Sequence, residues 1–218
     1  MSGNTSAHID RLRQTVDPSH TVVITMELQK GIVGGEALLP ALPVAVREAG
    51  VLPAAGRVCA AARRVGIRVL HAVFEERPDG AGQAVNCRLF AISAKRKRET
   101  GWSPTDMGNP GAELVDELDV QPEDIKVSRL HGMTPFTGTE LDAIARNLGA
   151  RTCVIMGVSL NIGVLGAAIS ALDLGYQVVI VRDAVVGIPK EYGEAVLENT
   201  LSMIATIVTS HELEAAWS

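Results

Sequence analysis

The sequence predicts an α/β fold: a three-layer α/β/α sandwich on a mostly parallel, doubly wound sheet of about six strands. Three observations predict it. Short apolar runs recur along the chain, most of them continuous and β-branched rather than alternating, as expected of parallel strands covered on both faces. Stretches of helical character separate them, opening on capping residues and closing on glycine. A length of 218 residues, 47% of them hydrophobic, suits one domain with a sizeable core. That core must come from Val, Ile, Leu and Ala, because aromatic residues are only 3%.

Residues 1–20 are polar and read as an N-terminal arm, a short helix that could contact a partner, ahead of a domain over 21–218. Strands are predicted over 21–26, 67–74, 124–127, 152–158 and 177–181, with a weaker sixth over 205–209. Thr139, followed by Asp142, predicts the start of a helix that ends at Gly149, and Asn161 predicts the cap of another that ends at Gly175. Strand and helix thus alternate almost to the end, the Rossmann-like pattern. The segment 75–110 breaks the rhythm. It holds Pro78, Pro104, Pro110, several glycines and the run Lys95-Arg96-Lys97-Arg98, and is predicted to be an irregular lid or interface segment. The basic run reads as a solvated patch.

A net charge of −5 and a pI near 5.6 argue against a protein that neutralises phosphates, so nucleic acid is excluded as a partner. The first 20 residues lack the apolar stretch of a secretory signal, and no apolar run approaches the roughly 20 residues needed to cross a bilayer. Cys59, Cys87 and Cys153 are far apart and odd in number, which suits a reducing, cytoplasmic setting better than a disulfide framework or a zinc site.

In an open α/β sheet, ligands bind beyond the carboxyl ends of the strands, near the point where strand order reverses. The chemistry-bearing residues therefore sit after the strands. They are Met26-Glu27-Leu28-Gln29 after the first, Ser128-Arg129-Leu130-His131-Gly132 after the third, and Gly157-Val158-Ser159-Leu160-Asn161-Ile162-Gly163 after the fourth. Glu27 is an acid at the end of an apolar strand. Gln29, Arg129, Ser159, Asn161 and Gly163 are candidate substrate contacts, and His131 is a second candidate catalytic group.

These segments, with Thr134-Pro135-Phe136-Thr137-Gly138-Thr139-Glu140-Leu141-Asp142, Leu172-Asp173-Leu174-Gly175-Tyr176 and Val181-Arg182-Asp183-Ala184, resemble the isochorismatase-like hydrolases, also called the cysteine hydrolase superfamily. The resemblance runs from about residue 21 to 210. It implies a small-molecule substrate, a homodimer or higher homo-oligomer, no cofactor, and a non-proline cis peptide between Val158 and Ser159. Metal-binding members place an aspartate and histidines after the second strand. Here His71 is alone and mid-strand, so no metal is expected.

Amidohydrolases of the family use an aspartate, a lysine and a nucleophilic cysteine. Aligned on the motifs, these positions are Glu27, Leu130 and Gly163, with Arg129 and His131 as the nearest basic residues and Lys126 too early in its strand to reach the site. A glycine cannot form the acyl-enzyme that a thiol forms. Cys59 and Cys153 read as buried structural residues, which leaves Cys87 as the one replacement thiol. True isochorismatases also carry glycine there and protonate a vinyl ether from the acidic residue, so by resemblance Glu27 is a general acid. The alternative reading of Glu27 is a plain ion pair with Arg129 or His131. A non-catalytic binding or assembly protein is the alternative to the hydrolase.

Overall fold

The computed structural model describes residues 2–218. Six parallel strands form one sheet: β1 (Thr21–Met26), β2 (Arg68–Phe74), β3 (Ile125–Arg129), β4 (Thr152–Gly157), β5 (Gln177–Val185) and β6 (Thr206–Val208). Their order is β3-β2-β1-β4-β5-β6, so the strand order reverses between β1 and β4. That reversal opens a crevice at the carboxyl ends of those two strands. β1 and β4 are buried along their whole length, which explains their unbroken apolar sequences. β3, at the edge, alternates: Val127 and Arg129 are buried while Lys126 and Ser128 face outward.

Helices cover both faces. Helix α1 (Ser2–Thr15) is followed, between β1 and β2, by the single turn α2 (Lys30–Val33), α3 (Ala41–Ala49) and α4 (Val51–Arg64). Gly50, at φ +68°, ends α3 and starts α4, a left-handed conformation that glycine adopts freely. α5 (Arg88–Thr100) lies between β2 and β3, and α6 (Leu141–Asn147) and α7 (Leu165–Asp173) flank β4. α8 (Lys190–Val196), the turn α9 (Ser202–Ile204) and α10 (Ser210–Ala216) complete the chain. α1, α4 and α10 pack together on one face. α6 and α7, which flank β4 in the chain, belong to the connections on the far side of the strand-order reversal.

The first 20 residues pack Leu12 and Val16 into the main core, and the Trp217 indole donates to Val16 O at 2.8 Å. Two expectations need correction. The 75–110 segment is not irregular throughout, because α5 (Arg88–Thr100) occupies its middle. Phe90, Ala94 and Lys97 form a buried stripe at helical spacing, and Gly101 at φ +80° ends it. Lys97, expected in solvent, is buried and donates to Asp106 and to Arg77 O. Nor does Asn161 cap a helix. It lies inside a wide π-type turn over Leu160–Val164 that leads into α7, where its Oδ1 accepts from Ser159 Oγ (2.7 Å) and Ile188 N (3.3 Å). No helix among the described residues is long and apolar enough to cross a membrane.

Candidate active site

Glu27 is the first residue beyond β1, and its amide still bonds Ala72 O of β2 at 2.9 Å. Its φ is +53°, a left-handed conformation that costs a non-glycine residue roughly 1–2 kcal/mol and turns the side chain off the sheet end. From β3, two strands away, Arg129 reaches over the end of β2 and ion-pairs with the Glu27 carboxylate. The guanidinium carbon lies 5.5 Å from the centroid of the Phe74 ring, and Nε donates to Gly132 O at 3.2 Å. Arg129 is almost wholly buried, its side chain 4% exposed. Its Nη1 has no hydrogen-bond partner.

The pair stands at a cavity of about 130 Å³ at the sheet's switch point. Ser159, Ile162 and Gly163 line it from the turn after β4, and Gly132 and Met133 from the turn after β3. The rest is largely apolar: Leu38, Leu39 and Leu42 from the loop into α3, Leu89 and Phe90 from α5, and Trp102 beyond it. Glu27 is the one carboxylate among these lining residues. The Val158–Ser159 peptide is cis, as the resemblance implied.

At Gly163, a Cβ would stand 2.9 Å from the Met26 methyl and 3.2 Å from Val158 O. The space of a side chain is taken by Met26. None of the three cysteines lines the cavity. Burial pushes the Cys59 and Cys153 thiols up to about 12, which keeps them protonated and inert. Cys87 is half-buried at the start of α5.

The structure therefore brings Glu27, Arg129, Ser159 and Gly163 together around one cavity and leaves three candidates outside it. Gln29 is fully buried, its amide donating to Phe74 O (2.8 Å) and Ala112 O (3.0 Å) and accepting from Phe74 N (2.8 Å). It fixes the backbone beneath the site. Asn161 tethers the β4 turn to Ile188. His131 is exposed, with its ring beside Gly138, because Gly132 at φ +83° turns the chain so that Gly132 and Met133 face inward instead. The cation beside Glu27 is Arg129, the neighbour of position 130.

Sequence reasoning missed the aromatic wall and a polar cluster under α5. There the Lys97–Asp106 pair lies close to Glu76, which accepts from Ser103 Oγ and from Thr105 Oγ1 (2.8 Å). His71 is buried between Thr25 Oγ1 (2.8 Å) and Asp124 Oδ2 (3.3 Å), and burial lowers its affinity for a proton. Burial alone would raise Asp124, but the Arg63 guanidinium, the Gln121 amide and His71 together hold its carboxyl below the ordinary value. Among the described residues, no group of three or more His, Cys, Asp or Glu side chains could hold a metal ion.

The isochorismatase domain matches residues 21–212. The chain belongs to the isochorismatase family. It is 35% identical over 113 residues to YwoC, an isochorismatase family protein of Bacillus subtilis, a match covering 52% of this chain and 57% of YwoC. The chain thus spans little more than half of that relative. It is 28% identical over 180 residues to the ureidoacrylate amidohydrolase RutB of Rhizobium rhizogenes, covering 78% of this chain and 72% of RutB. Among solved structures, an isochorismatase family protein from Desulfovibrio vulgaris superposes with a TM-score of 0.74 at 28% identity, over 90% of this chain and 97% of that one.

Proposed function

We propose that this member of the family is a hydrolase that forms no covalent thiol intermediate and acts on a small anionic metabolite with an enol-ether bond, Glu27 being the general acid. One observation carries the reading: the sole carboxylate among the lining residues shares the cavity with Gly163, the glycine that the motif resemblance aligns with the nucleophile, and with no cysteine. Glu27 gives its proton to the terminal carbon of the double bond, and the resulting oxocarbenium ion takes up water. That water returns a proton to Glu27, and the hemiketal collapses to a carbonyl compound and an alcohol. At rest Glu27 pairs with Arg129. An anionic substrate drawn to the same guanidinium sets a second negative group beside it, and neighbouring carboxylates share a proton.

Glu27→Gln tests this, because the amide keeps the shape and still accepts from Arg129 but cannot donate the proton. Assayed on isochorismate and related enol ethers beside a panel of small amides, the variant should lose about 10²–10⁴ in kcat with the fold intact. Cys87→Ser should change little. Turnover that survives Glu27→Gln and vanishes with Cys87→Ser would instead mark a relocated thiol and an amide substrate, the activity in RutB's name. The Glu27–Arg129 pair also favours a second reading, a non-catalytic binding protein, since each group neutralises the other. A wild type that turns over nothing would establish it.

The same reading makes the protein a cytoplasmic homodimer or higher oligomer. Ile162, in the turn after β4, and Ile169 of α7 are 41% and 44% exposed, apolar surface that a second copy would cover. Light scattering at micromolar concentration should exceed the monomer mass.

A further inference from the structure

We propose that the outer side of α3 and the groove beside it dock a second copy of this chain across a two-fold axis, Glu48 of each copy meeting Lys190 of the other. This rests on the reading of the protein as a homo-oligomer and says which surface does the joining. α3 has almost no polar side to offer to water. Of its nine residues only Arg47 and Glu48 are polar, both in the last turn. Leu42 and Val46 face the core, while Ala41, Val44, Ala45 and Glu48 form the opposite stripe at the spacing i, i+3, i+4, i+7. Val44 is 41% exposed. A helix that is apolar on both sides is normally covered on both.

Beside that stripe lies an open groove of about 430 Å³, completed by Ile188, Pro189 and Lys190 where the chain enters α8. The turn that carries the exposed Ile162 adjoins it, because Ile188 N donates to Asn161 Oδ1 at 3.3 Å. Charge selects the occupant. The groove has one acid, Glu48, and one base, Lys190, and neither enters an ion pair among the described residues. A surface bearing one charge of each sign is complementary to itself when turned through a half rotation, as a two-fold contact requires. Two copies of a chain of net charge −5 repel each other as wholes, so a locally balanced patch is where they can meet. Leu42, on the inner side of the same helix, lines the cavity at the sheet's switch point, so the docked copy backs one wall of it.

Sedimentation equilibrium of the full chain, with circular dichroism to check the fold, tests this. The wild type should sediment as a dimer or a multiple of one, and Val44→Glu should halve that assembly. Glu48→Lys alone and Lys190→Glu alone should each weaken association about tenfold or more, since each sets like charges together at two symmetric places. The double variant Glu48→Lys/Lys190→Glu should recover the wild-type Kd, because the pairs are restored with their signs exchanged. Should Val44→Glu lose its fold, the charge reversals decide alone. A monomeric wild type overturns the proposal together with the oligomer reading. An oligomer that neither Val44→Glu nor the single reversals weaken overturns the proposal alone and puts the joint on another face. Single reversals without recovery in the double variant also overturn it, since that surface then meets something other than its own copy. Hydrolysis by the Glu27→Gln variant bears on the catalytic reading and on none of these outcomes.

Discussion

Position 163 shows how one residue's freedom is set by another far away in sequence. The methyl of Met26 occupies the place of a side chain there, so Gly163→Cys must push a fully buried thioether aside. Overpacking of this kind costs about 1–3 kcal/mol. Chemical denaturation should show that loss, and Met26→Ala in the same chain should recover part of it. The residues of the site were legible where position along a strand decides them: Glu27 and Gly163 follow from the rule that ligands sit at strand ends. Gln29 and Asn161 occupy equivalent places but do not line the cavity, because a side-chain amide at a strand end can equally satisfy backbone groups. Which of the two it does depends on what the fold brings opposite, here Phe74 and Ala112 for one and Ile188 for the other. No local pattern carries that information.

Among the elements, α5 was hidden by its surroundings. Prolines and glycines on either side gave the whole segment an irregular look, although Phe90, Ala94 and Lys97 already stood at helical spacing. The strands were read to within a few residues, since burial on both faces leaves a continuous apolar run. β5 runs on to Val185 instead of stopping near 181, past a register shift against β4 between Ile155 and Gly157. α5 forms one wall of the cavity and is anchored by the buried Lys97–Asp106 pair. Removing one partner of such a pair leaves a buried charge uncompensated, so Lys97→Ala should cost about 3–5 kcal/mol. Hydrogen exchange should show the loss first in the amides of α5, ahead of β1 and β4.

For the molecule as a whole, acid sensitivity centres on the buried group of His71, Asp124 and Arg63. Burial holds His71 below its ordinary value of 6.5, so under that pH the unfolded chain binds a proton that the folded chain does not. Stability therefore declines as pH falls from about 6.5 toward the folded value, by at most about 1.4 kcal/mol per pH unit. Asp124 acts lower down: its depressed carboxyl contributes stability above about pH 4 that is lost as pH falls toward its folded value. Thermal melts from pH 7 to 5 should show a falling midpoint that flattens in His71→Gln, while the decline below pH 4 persists. The alternation at the edge strand β3 has a different consequence, for what happens between molecules at high concentration. Lys126 on that strand pairs with Glu75, and the opposite edge, β6, is three residues long. A charged rim and a rim too short to template another chain both resist the edge-to-edge stacking from which fibrils grow.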